Sequence, residues 1–203
     1  RTDTVGCVGQ SGGGTLTYYL AALDSRIHAY MPIQCLSPYE ISIKNGIADP
    51  EQSVLGLWQG GFEMADFLWM AAPKPICISA GSRDYFSAAG ARLIHEEIQQ
   101  LYSRLGFADN VEYFESDTGH ALSAEPRAAC YEWFSRRFHD APPAPERHVE
   151  LLAEDDLHCL SPAERAANRT PIDINRTRLE RIRDKRFPDT PLAESAGITT
   201  SVE

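Results

Sequence analysis

A serine flanked by glycines is the strongest candidate for a nucleophile in this chain. The segment Gly9-Gln10-Ser11-Gly12-Gly13 follows a short apolar run and opens a stretch of helical character. The pattern G-x-S-x-G in this context is typical of a nucleophile elbow, a sharp turn that exposes the serine hydroxyl. The flanking glycines let strand and helix approach closely. The Gly12 N–H then lies where it can donate a hydrogen bond to an oxyanion.

A glycine-rich turn between a strand and a helix can instead bind a phosphate at the helix N-terminus. Neither phosphate-binding pattern fits the glycines around Ser11. No Gly-Lys-Ser/Thr follows them, and the spacing of a dinucleotide-binding turn is not met with a serine at its centre. We therefore interpret Ser11 as a nucleophile.

A serine hydroxyl is weakly nucleophilic, so it needs a base, and the base needs a carboxylate that orients it. After an elbow serine, the chain order is Asp or Glu and then His. Asp84 follows a later apolar run, and His120 follows another one directly after Gly119, which permits a tight turn. We predict Asp84 as the acid and His120 as the base. Three other carboxylates remain alternatives for the acid: Asp117, Glu115 and Glu51.

The elements that must position these residues alternate along the chain. Short apolar runs typical of buried strands cover residues 5–9, 27–35, 75–80 and 111–114. Helical patterns cover residues 15–23, 62–71, 87–105 and 126–138. This alternation predicts an α/β fold, a parallel sheet with flanking helices on both faces and right-handed crossovers. Catalytic groups gather at the carboxyl ends of such strands, which is where Ser11, Asp84 and His120 fall.

Residues 36–60 contain several prolines and glycines and predict a long functional loop rather than a regular element. Glu51 and Trp58 on this loop, together with Gln10 beside the nucleophile, are predicted to contact a substrate. The segment Ala141-Pro142-Pro143-Ala144-Pro145 predicts a domain edge. We expect a catalytic domain over residues 1–140 and a polar linker or tail over 141–203, with a charged helix at 176–186.

Composition narrows the classes of partner. The formal net charge of -10 argues against a nucleic acid, and no apolar run approaches the roughly 20 residues that span a bilayer. The five cysteines are an odd count without metal-ligand spacing, which favours a reducing compartment. We expect no metal, no nucleic-acid partner and no membrane partner.

Several segments resemble bacterial acetyl xylan esterase-like serine hydrolases related to the prolyl oligopeptidase group. They are residues 9–15, 22–27, 49–52, 72–75 and 83–86, and Gly119-His120 before a helix with Trp133-Phe134. The resemblance covers about residues 3–140. It implies an α/β-hydrolase fold, no cofactor and a carboxylic ester substrate, with the acetyl ester of a carbohydrate favoured.

In that fold the nucleophile follows the fifth strand, so the apolar runs correspond to strands five to eight. Four earlier strands, and the loop that supplies a second oxyanion N–H, have no counterpart in this chain. We therefore expect the C-terminal portion of the fold, with an exposed edge on its first strand that could bind a partner. An inactive hydrolase fragment, a partner-binding subunit and a peptidase of the same superfamily remain alternatives to an esterase.

Overall fold

The N-terminal part of the chain forms a parallel four-stranded sheet. The computed structural model describes residues 3–47, 52, 54, 56, 57, 59–139 and 141–186. The strands are β1 (Gly6–Gln10), β2 (Ala29–Ile33), β3 (Ile76–Gly81) and β4 (Val111–Ser116). Their order in the sheet is β1-β2-β3-β4, and every pairing is parallel. The predicted α/β class and parallel sheet are confirmed.

Helices connect the strands. They are α1 (Gly12–Leu23), α2 (Tyr39–Lys44), α3 (Met64–Trp69), α4 (Ala88–Arg104) and α5 (Ala124–His139), and a 3₁₀ turn at Ala108–Asn110 precedes β4. The predicted loop over residues 36–60 was wrong in one respect, because it contains α2. This short helix begins after Pro38, and an ion pair between Glu40 and Lys44, four residues apart, suits its two ends.

The sheet separates two apolar layers. Alternate residues of β2 point to opposite faces, so Tyr30 joins the layer under α1, α3 and α4, which contains Leu68 and Ile98. Met31 lies in the other layer, where Trp133 of α5 packs. Every residue of β2 and β3 is buried, which explains why both strands read as continuous apolar runs. Helices on both faces were predicted and are confirmed.

β1 lies at one edge of the sheet. Within the part of the chain that the structure describes, it pairs with β2 alone. Exposed apolar side chains lie along this edge: Val5 just before β1, Val8 on it, and Leu16 and Leu23 on the adjoining α1. Association of a partner through this edge stays a prediction.

The chain divides into two compact units, Arg1–Arg147 and His148–Glu203. The second unit contains a 3₁₀ turn (Glu154–Leu157), α6 (Pro162–Ala167) and α7 (Pro171–Arg186). A reciprocal capping box between Ser161 and Glu164 starts α6. The charged helix predicted over 176–186 is part of α7. No helix among the described residues has the length and apolar character to cross a bilayer.

Candidate active site

Ser11 occupies a strained turn between β1 and α1. Its φ of 57° and ψ of -123° lie in a region that non-glycine residues rarely adopt. The Ser11 N–H donates to the Ile33 carbonyl across the strand ends, at 2.9 Å. A Cβ on Gly9 would lie 2.1 Å from the Gly13 carbonyl oxygen, so a side chain there would collide with the helix. Local strain of this kind, held by surrounding contacts, is what a nucleophile elbow requires.

Asp84 and His120 meet at the carboxyl ends of β3 and β4. His120 Nδ1 lies 3.0 Å from Asp84 Oδ1 and 2.9 Å from Oδ2. The Asp84 side chain is fully buried, whereas 19% of the His120 side chain is exposed. The Phe86 N–H donates to Asp84 Oδ1 at 2.9 Å and fixes the carboxylate. A proton on Nδ1 facing this carboxylate leaves His120 Nε2 free to accept a proton.

The alternative acids have other partners. Asp117 is 83% exposed and pairs with Arg83, and it accepts a hydrogen bond from Ser82. Glu115 accepts hydrogen bonds from Arg92 and from the Tyr113 hydroxyl. Glu51 lies outside the described residues. The structure therefore brings Asp84 to the histidine, and neither Asp117 nor Glu115.

The turn that carries His120 is held at its backbone. The Gly119 carbonyl accepts the Ala121 N–H at 2.9 Å, which closes a three-residue turn centred on His120. The same carbonyl accepts Gln34 Nε2 at 2.8 Å. One residue earlier, the Thr118 carbonyl accepts the Arg83 N–H from the loop after β3, at 3.0 Å. The position of His120 thus depends on hydrogen bonds from two other strand ends.

Gln34 is a residue of this region that the sequence analysis missed. It follows β2 with φ at +51° and is 2% exposed. Its Oε1 accepts Gln10 Nε2 at 3.1 Å, next to the nucleophile. A Cβ on Gly81 would lie 2.8 Å from Gln34 Nε2, so that glycine leaves room for the amide. The one signal in the sequence was a polar residue near the end of the apolar run 27–35.

Of the remaining predicted residues, the structure describes Gly12 and Gln10, which flank Ser11 in the chain. The Gly12 N–H lies in the first turn of α1, and Thr15 in the next turn donates to Gln52 Oε1 at 2.8 Å. Gln10 directs its amide to Gln34, so its contact with a substrate stays a prediction. Glu51 and Trp58 lie outside the described residues.

Two features are not found among the described residues: a hydrogen bond between Ser11 and His120, and a cluster of metal ligands. In the described structure no hydrogen bond joins Ser11 Oγ to His120, a bond that is often long in unliganded enzymes and tightens when substrate binds. Among the residues placed, no cluster of three or more His, Cys, Asp or Glu side chains could hold a metal ion.

Comparison with known proteins adds the family context. A glucuronoyl esterase of carbohydrate esterase family 15 from Caldicellulosiruptor kristjansonii matches 80% of this chain with a TM-score of 0.60 and 16% identity. The methylesterase BT1017 matches 68% with a TM-score of 0.54 and 27% identity. The chain has the α/β-hydrolase fold. This confirms the resemblance to that superfamily.

One curated relative is YtaP of Bacillus subtilis (strain 168), which is named as a hydrolase and is 26% identical over 127 residues. No protein-family model matches. The chain spans 42% of YtaP, 49% of the glucuronoyl esterase and 30% of the methylesterase. It therefore corresponds to half or less of each relative's length.

Proposed function

We propose that this chain carries the catalytic group of a serine hydrolase that cleaves carboxylic esters. The observation that carries the proposal is the contact between the buried Asp84 carboxylate and His120 Nδ1. It lies at the carboxyl ends of the strands, where Ser11 also occupies its strained turn. Ser11 is half-buried and lies at the carboxyl end of β1, as the Asp84–His120 pair lies at the carboxyl ends of β3 and β4. The esterase and hydrolase names of the similar proteins support the same reaction class.

The proposed reaction proceeds through an acyl-enzyme. His120 Nε2 accepts the Ser11 proton while Oγ attacks the ester carbonyl carbon, and the carbonyl oxygen becomes an oxyanion near the Gly12 N–H. Asp84 stabilises the imidazolium that forms. The imidazolium then protonates the alcohol as it leaves. Water, deprotonated by His120, attacks the acyl carbon, and the imidazolium returns this proton to Ser11 Oγ as the acid is released.

The proposed substrate is the acetyl ester of a carbohydrate, as the resemblance of the sequence favours. A second candidate is the methyl ester of a sugar acid. The 27% identity to a methylesterase supports the methyl ester, and the names of the glucuronoyl esterases of the same fold suggest the sugar acid. The two differ in which side of the ester the sugar supplies. It is the alcohol in the first and the acyl group in the second, so the products identify the substrate.

A fluorophosphonate probe tests the nucleophile, because it reacts covalently with an activated serine. We expect the probe to label the wild-type chain at Ser11 and not to label Ser11→Ala, with Ser25→Ala as a control in an exposed turn. No labelling at Ser11 after long incubation would overturn the proposal.

A substrate panel tests the reaction class. It contains p-nitrophenyl acetate, an acetylated xylo-oligosaccharide, a methyl ester of glucuronic acid and a proline-containing peptide anilide. Release of acetate or methanol supports an esterase and selects between the two candidates. Cleavage of the peptide alone would replace the esterase with a peptidase. A chain that is labelled at Ser11 but hydrolyses none of the four substrates would indicate an inactive hydrolase fragment.

A further inference from the structure

The further feature of this site is a chain of two glutamine amides that runs across the carboxyl ends of the strands. Gln10 precedes the Ser11 elbow at the end of β1, and its Nε2 donates to Gln34 Oε1 at 3.1 Å. Gln34, at the end of β2, donates from Nε2 to the Gly119 carbonyl at 2.8 Å and to Thr118 Oγ1 at 3.3 Å. The chain therefore joins the residue before the nucleophile to the residue before the base.

The backbone at Gln34 is built for this contact. Its φ of +51° is unfavourable for a residue with a side chain, and its N–H donates to the Ser79 carbonyl at 2.8 Å, which holds the backbone in place. Gly81, at the end of β3, has no side chain to block the amide. Strained residues persist where the surrounding structure determines them, and they concentrate at functional sites.

We propose that Gln34 is a positioning residue that sets the His120 turn relative to the Ser11 elbow. It acts through the Gly119 carbonyl, the atom that also closes the turn centred on His120. Asp84 fixes the orientation of the imidazole, and Gln34 fixes the height of the turn above the sheet. The inference rests on the proposed function, since it assigns Ser11 and His120 to one reaction.

The test compares Gln34→Met with Gln99→Met. Gln99 on α4 also donates from Nε2 to a backbone carbonyl, that of Ala108 at 3.0 Å, away from the strand ends that carry Ser11 and His120. Small misplacements of catalytic groups cost about 100-fold in rate, so we expect kcat on p-nitrophenyl acetate to fall by about that factor in Gln34→Met with KM within about twofold. Gln99→Met should retain the wild-type kcat. Equal kcat for Gln34→Met and wild type would overturn the inference.

A readout without turnover separates this inference from the proposed function. The proton on His120 Nδ1, hydrogen-bonded to Asp84, should give a low-field proton NMR resonance in the wild type and in Gln99→Met. We expect that resonance to shift or broaden in Gln34→Met. A resonance identical in all three proteins overturns the role of Gln34, whatever the reactivity of Ser11. An unreactive Ser11 in the wild type, with a resonance that still shifts in Gln34→Met, overturns the proposed function and reduces Gln34 to a structural support of the His120 turn.

A second variant covers the case in which Gln34→Met does not fold, as thermal unfolding would report. Gln10→Met breaks the other end of the amide chain at a half-buried side chain and leaves Gln34 in place. It should lower kcat by about tenfold, less than the loss of Gln34, because the bond to Gly119 remains. A wild-type kcat and an unchanged His120 resonance in Gln10→Met would overturn the inference on their own.

Discussion

Replacement of Asp84 by asparagine tests the proposed acid with almost no change of volume. The Phe86 N–H donates to Asp84 Oδ1 at 2.9 Å, so the asparagine oxygen must take the Oδ1 place. Its NH₂ group then occupies the Oδ2 place, 2.9 Å from His120 Nδ1. An amide donor there requires Nδ1 without a proton, so the imidazole proton moves to Nε2. That tautomer cannot accept the proton of Ser11.

The expected loss follows from this tautomer. An Asp→Asn change in a serine triad that keeps its geometry lowers kcat by about 10⁴-fold, or about 5.5 kcal/mol of barrier. Initial rates on p-nitrophenyl acetate and the rate of fluorophosphonate labelling measure it. Asp117→Asn is the matched control, because that carboxylate is 83% exposed and pairs with Arg83. A folded Asp84→Asn protein within tenfold of the wild-type rate would refute the assignment of Asp84 as the acid. A loss of rate in Asp117→Asn alone would assign that role to Asp117.

Three further predictions concern stability and reactivity. Burial raises the pKa of Glu112, but hydrogen bonds from two arginines and an indole outweigh it and hold that pKa below its ordinary value. The ionised Glu112 carboxylate therefore stabilises the fold above its unfolded pKa of about 4.3, and this stability is lost as the pH falls through the folded pKa. The difference in urea-unfolding free energy between wild type and Glu112→Gln should thus shrink from about pH 6 to pH 3. Burial raises the pKa of the Cys77 thiol to about 12, whereas Cys159 is exposed. Iodoacetamide should thus alkylate Cys159 alone of these two in the native protein, as mass spectrometry would report. Gly9→Ala should destabilise the fold by more than about 2 kcal/mol because its Cβ meets the Gly13 carbonyl. Gly13→Ala, whose Cβ would meet no atom of the described residues within 4 Å, should not, and equal urea midpoints for the two variants would contradict this.

The strands could be predicted because their burial leaves a strong mark in the sequence. β2 and β3 are covered on both faces, so they read as unbroken apolar runs. The α2 helix left no such mark. It has six residues and buries only two of them, Tyr39 and Ser42, so no apolar stripe distinguishes it from a loop.

Part of the candidate site could be ordered from the sequence, and part needed distances. The order Ser11, Asp84, His120 followed from the elbow motif. The choice between Asp84 and Asp117 did not, because Asp117 lies closer to His120 along the chain. A polar residue near the end of an apolar run did not suffice to assign Gln34 to the site, since its partner Gly119 is 85 residues away and a single glutamine carries no spacing pattern.

The order of the strands in space repeats their order along the chain, and this has a consequence for biosynthesis. Each strand of the sheet can add to one already made, and α1, α3 and α4 cover one face as they emerge. The other face depends on α5, which is made after all four strands and reaches across the sheet until Phe134 touches the backbone of Gly6. Until then Met31 and its neighbours face water. A ribosome-bound or truncated chain that ends before residue 124 should therefore recruit chaperones, and release of α5 should end that dependence.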